Sequence, residues 1–198
     1  MNSEPRRTEP LPLRYYGDPV LRRRADPVRE VTPEIRDLIE AMFVTMVVEE
    51  GVGLAAPQVG RSLRVFVIDL EDEGLPRVRQ AFVNPVMVER TGEIVGEEGC
   101  LSIPSLRADV KRAARVVVDA LDADGKPFRM EAEGLVARAL QHEQDHLDGI
   151  LFLDRLGPLS RRLLEAKWKR IRAEVLDSSG APDSPSNEGG APGAASSR

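Results

Sequence analysis

The chain has one cysteine, two histidines and no apolar run near the ~20 residues that a bilayer span needs. The lone Cys100 excludes an internal disulfide framework and suits a reducing compartment. Behind the two arginines of MNSEPRRTEP no apolar segment follows, so no secretory signal is expected. An excess of positive charge is also missing. With 28 Lys+Arg against 33 Asp+Glu the net charge is -5, which argues against a binder of nucleic acid that relies on overall charge. No fixed-period repeat is present, which removes solenoids and propellers. The expectation is a cytoplasmic protein with no membrane partner and no sequence-specific nucleic-acid partner.

The 198 residues allow one domain and a loose end, at roughly 150 residues per domain. From Ser178 onward the chain has no bulky apolar residue, so it cannot bury enough surface to offset ordering entropy. The expected division is therefore a domain over 1–177 and a disordered tail over 178–198. Within the domain, Ile35, Leu38, Ile39, Met42, Phe43, Met46 and Val47 recur at helical steps, opened by Thr32-Pro33 and stopped by Gly51. The glycine-bearing GVGLAAPQVG reads as a loop. Strands are expected over 64–70, 81–88, 115–121 and 127–132, the last two joined as a hairpin through D-A-D-G. Two more helices are expected. One, over 134–147, carries Leu135, Val136, Ala139, Leu140 and Leu147 on one side; the other, over 159–176, turns Leu163, Leu164, Trp168, Ile171 and Val175 to the core. Clustered strands without alternating helices give an α+β fold with antiparallel sheets.

Both histidines fall in one motif. His142 and His146 stand four apart in QHEQDH, a spacing that puts both imidazoles on one helix face, and Glu143 completes H-E-x-x-H. Catalytic centres of this kind usually take a third protein ligand and leave a position for water. No histidine remains downstream, and Glu165 belongs to a charged stretch. Cys100, in GEEGCLSIP, is the better candidate because a thiolate is a strong ligand for borderline-soft ions. A zinc endopeptidase with another third ligand and a non-catalytic metal-holding protein are the competing readings.

GVGLAAPQ, EEGCLSIP and QHEQDHLDG together resemble, in order and spacing, the three signature motifs of the peptide deformylase family. The resemblance spans roughly 11–173, an amount typical of one domain. It implies antiparallel sheets around a central metal-binding H-E-x-x-H helix, flanked by an N-terminal and a C-terminal helix. The implied reaction is removal of the formyl group from the N-terminal formyl-methionine of new polypeptides. Cys100, His142 and His146 would hold one divalent ion, Fe2+ by resemblance, with Zn2+, Ni2+ or Co2+ able to substitute. A water activated there would attack the formyl carbonyl, Glu143 would act as general base and then acid, and Gln58 with the Leu101 backbone N–H would stabilise the oxyanion. Val52 and Gly53 would bind the substrate backbone; Val52, Leu135 and Ala139 would line the methionine pocket, and Arg107 would stand near the entrance. Glu98 and Arg112 match a buried pair. The implied partners are nascent N-formyl-methionyl polypeptides. The ribosome joins them through the C-terminal helix, where Arg155 to Arg172 includes seven basic residues against one acidic residue.

Overall fold

The computed structural model describes residues 8–71 and 76–179. Helix α1 (Pro33–Val48) is followed by strands β1 (Gly53–Ala55), β2 (Val65–Leu70), β3 (Val78–Thr91), β4 (Ile94–Cys100), β5 (Ile103–Arg112), β6 (Arg115–Leu121) and β7 (Pro127–Glu133). Helices α2 (Gly134–Leu147) and α3 (Pro158–Ser179) close the chain. Five strands form one antiparallel sheet in the order β1-β2-β3-β6-β7, and β4 pairs with β5 in a second.

The apolar run in β2 follows from its place in the sheet. Val65 and Val67 pack with Ile39, Met42, Phe43 and Met46 of α1, whereas Phe66, Ile68 and Leu70 pack with Val136, Ala137, Leu140 and Leu147 of α2. Alternate residues thus serve opposite helices, and a strand covered on both faces has no polar side to alternate with. The second sheet has its own core, in which Ile103, Leu106 and Val110 of β5 meet Trp168 of α3 and the 151–153 segment.

Both later helices and the β6–β7 hairpin match their expected ranges closely, and α+β with antiparallel sheets is the fold observed. Several readings need correction. GVGLAAPQVG contains a short strand, β1, and a 3-10 turn at Ala56–Val59 rather than a plain loop. The segment around Cys100 is strand: β4 and β5 were absent from the pattern because IVGEEGC carries two glycines and two glutamates and buries chiefly Glu98. Leu163 is 62% exposed, since the buried stripe of α3 runs Leu164, Trp168, Ile171 and Val175, one step off. Leu135 is likewise 43% exposed instead of facing the core. α3 continues to Ser179, so the first two residues assigned to the tail are helical, and 180–198 lie outside the described residues. No helix among the described residues is long and apolar enough to cross a membrane.

Candidate active site

α2 lies between the sheets and packs on β1, β2, β6 and β7. Its other side faces a groove of about 540 Å3 whose far wall is formed by β4 and β5. Val52, Gly53, Gln58, Glu98, Cys100, Leu101, Arg107, Leu135, Ala139, His142 and Glu143 all line this groove, whereas His146 and Arg112 are buried behind it.

One helix and one strand end bring the ligand atoms together. Cys100 Sγ and a ring nitrogen from each histidine lie within 4.8 Å of one another. The sulfur is 3.3 Å from His146 Nε2, and the two Nε2 atoms are 3.2 Å apart. His142 Nδ1–H donates to Glu98 Oε2 at 3.1 Å, which turns Nε2 toward His146; burial alone would lower this imidazole, but its contacts with Cys100 and Glu98 outweigh that and raise it well above its ordinary range. Burial holds the His146 imidazole well below its ordinary range and therefore neutral. A thiol sulfur and two imidazole nitrogens at these separations are a donor set that one divalent ion can satisfy.

Glu98 is fixed in turn. Burial by itself would raise its carboxyl, but hydrogen bonds from His142 and Arg112 outweigh that effect and bring it down to about 2. Arg112 grips Glu98 with Nε and Nη2, each at 2.9 Å, and pairs through Nη1 with Asp145 at 2.5 Å. Asp145 also binds Arg155. Asp145, buried on α2, thus belongs to the support of the site.

Glu143 is buried, and its Oε2 has no hydrogen-bond partner among the described residues. Burial pushes its carboxyl up to about 7. It lies against the backbone of Gly53, where an added Cβ would come within 2.4 Å of Oε1. The amide of Gln58 is oriented by a neighbour: Ala55 N–H donates to Oε1 at 2.8 Å, so Nε2 is the end turned to Ser102 Oγ (3.3 Å) and Cys100 Sγ (3.5 Å). Arg107 is exposed and pairs loosely with Glu97 at 3.4 Å. Sequence reasoning missed Ser102, buried two residues after Cys100, and Arg138, one helical turn before His142. Their spacing from known motif residues was the available signal.

The frame and the site define an α+β hydrolase built on an H-E-x-x-H helix, with the third soft donor supplied by a neighbouring strand. The chain belongs to the polypeptide deformylase family, whose model matches residues 10–162. It is 44% identical over 159 residues to the peptide deformylase of Thermodesulfovibrio yellowstonii, covering 80% of this chain and 96% of that protein. The crystal structure of a Legionella pneumophila peptide deformylase superposes with a TM-score of 0.76 at 45% identity, over 83% of this chain and 98% of that one. A Met-Ala-Ser-bound class I type b peptide deformylase from Acinetobacter baumannii gives 0.72 at 37%, over 75% and 99%. The protein is accordingly an enzyme, a hydrolase of the family that removes formyl groups from nascent peptides.

Proposed function

We infer that this chain is a metal-dependent deformylase in which Cys100, His142 and His146 hold one divalent ion. The observation that carries the reading is the convergence of one thiol and two imidazoles beside a buried, unpartnered carboxylate at a groove. Such an ion, Fe2+ by family resemblance with Zn2+, Ni2+ or Co2+ as substitutes, supplies Lewis-acid chemistry that lowers the pKa of a water and polarises a carbonyl. The remaining work falls to side chains of the protein.

Glu143 takes the proton of the attacking water and returns it to the departing amine; its unpartnered Oε2 gives it an acceptor that no neighbour occupies. Gln58 presents Nε2 to the oxygen that gains charge, and the Leu101 backbone N–H is its companion donor. Because Ala55 fixes the amide, that donor needs no reorientation in the transition state. The substrate backbone binds along Val52 and Gly53 as an added strand, a mode indifferent to side-chain identity. The methionine side chain enters between Val52 and Leu135, which are exposed, and the buried Ala139 at the groove wall, and Arg107 stands at the entrance. The Acinetobacter relative, bound to the tripeptide Met-Ala-Ser, supports a peptide of this kind in the groove.

Residues 1–177 with the end of α3 form the catalytic domain, and the enzyme works in the cytoplasm; the tail expected from the sequence lies, from 180 on, outside the described residues. Contact with the ribosome runs through Arg162, Lys167, Lys169 and Arg170, which are exposed, while Arg155 and Arg161 are engaged with Asp145, Asp154 and Glu165. The decisive experiment is deformylation of formyl-Met-Ala by metal-reconstituted protein, with Glu143→Ala as control. Formate release should fall by about 10²–10⁴ in the variant while the ion stays bound. Loss of the ion together with activity would make Glu143 a ligand or a structural residue instead.

A further inference from the structure

Arg138 stands four residues before His142 and eight before His146, so the three side chains form a stripe along one face of α2. Its guanidinium crosses to β4, where Nη2 donates to the carbonyl of Gly96 at 2.6 Å and to that of Glu97 at 2.9 Å. The same nitrogen is 3.5 Å from Glu98 Oε1. The crossing depends on position 96 having no side chain. An ideal Cβ there would lie 1.8 Å from Arg138 Nη1 and 2.8 Å from Cζ, so any larger residue takes the place of the guanidinium.

This contact has a particular location. The two carbonyls belong to the last turns of strand before Cys100, and Glu98 is the carboxylate that receives His142 Nδ1–H. Arg112 approaches Glu98 from β5, Arg138 from α2 itself. We propose that Arg138 is a positioning residue for the candidate metal centre: it ties the strand that carries the thiol to the helix that carries the imidazoles, and Gly96 is the cradle that admits it. The inference rests on the metal reading of Cys100, His142 and His146. Charge-assisted bonds to two consecutive carbonyls fix both the separation and the rotation of the strand relative to the helix, which a single point contact would not.

The test uses cobalt-substituted full-length protein, with Arg138→Met, Arg138→Lys, Gly96→Ala and the double variant Gly96→Ala/Arg138→Met. The readouts are the visible cobalt spectrum, the rate of zinc release to a chelator and the thermal midpoint. Arg138→Met and Gly96→Ala should both shift the cobalt bands and speed zinc release about 10–100-fold, the range for loss of a supporting contact around a metal ligand. The double variant should be no worse than Arg138→Met, since the guanidinium is already gone. Arg138→Lys should recover part of the effect, because an ammonium reaches a carbonyl without the planar fork. Wild-type spectra and release rates in both Arg138→Met and Gly96→Ala would overturn the inference, even if thermal midpoints fall. If Arg138→Met does not fold, Gly96→Ala and Arg138→Lys decide the matter by the same criteria. Wild-type protein that binds no cobalt, or binds it equally well with Cys100→Ser, would overturn the metal reading and this inference together.

Discussion

Gly53→Ala isolates the placement of Glu143 from its chemistry. Gly53 sits in β1 opposite Ile68, with backbone angles open to alanine, so the substitution adds one methyl group and little backbone strain. That methyl would stand 2.4 Å from Glu143 Oε1, 2.9 Å from Cδ and 3.0 Å from Cγ. Non-bonded carbon contacts settle at about 3.5–4.0 Å, so the carboxylate must retreat by roughly 1 Å. A displacement of that size in a reacting group costs on the order of 10²-fold in rate. Deformylation of formyl-Met-Ala should therefore lose about two orders of magnitude in kcat, with the metal content of the purified enzyme unchanged. The Glu143→Ala background provides the control: there the methyl has no carboxylate to displace, and Gly53→Ala should cost less than threefold, about 0.6 kcal/mol. An equal loss on both backgrounds would refute the reasoning and assign Gly53 to substrate binding alone. Unchanged kcat in the single variant would refute it more directly.

Cys100→Ser should strip or severely weaken metal binding, because an alcohol is a far poorer ligand than a thiolate at neutral pH; metal analysis after dialysis checks this, and a full complement would remove Cys100 from the ligand set. Gln58→Leu should lower kcat with little change in KM, as its donor matters once charge develops, whereas a change confined to KM would place Gln58 in binding. Asp69 provides a pH test that involves none of the metal-ligating or catalytic side chains. The hydrogen bond from Arg77 lowers its carboxyl, burial opposes that effect, and Arg79 adds to the lowering. Since the folded value lies below the unfolded one of about 3.9, the stabilisation is present above roughly pH 4 and is lost as pH falls through the folded value. The difference in thermal midpoint between wild type and Asp69→Asn should accordingly be steady near neutrality and shrink in acid; a difference that grows in acid would reverse the assignment.

The helices and the central strands were legible because their patterns have one cause each. α1 and α2 carry a 3.6-residue apolar period, and β2 is apolar over Val65–Ile68 because two helices share it. The donors were legible too, since only two histidines exist and they fall four apart. The strands flanking Cys100 were not. β4 places glutamates and glycines where a strand would ordinarily carry branched residues, and its reasons are contacts far away in sequence: Glu98 serves His142 and Arg112, while Gly96 makes room for Arg138. No local propensity encodes a requirement set 42 residues further along. Leu163 shows a different limit: on a helix with apolar residues on more than one side, periodicity leaves the buried stripe uncertain by one residue.

The chain of contacts from His142 to Glu98, Arg112 and Asp145 begins and ends on the same helix. It is a closed ring, and closure has a consequence for how the protein opens. Sliding α2 along its axis would break the ring at His142 and at Asp145 at once, leaving the buried Arg112–Glu98 pair without either of its links to the helix. Backbone amides of α2 should therefore exchange their hydrogens together with those of β4 and β5, as one cooperative unit that opens only near the global unfolding free energy. Because Cys100, His142, Glu143 and His146 all sit on such a unit, their mutual geometry should persist until the fold is lost.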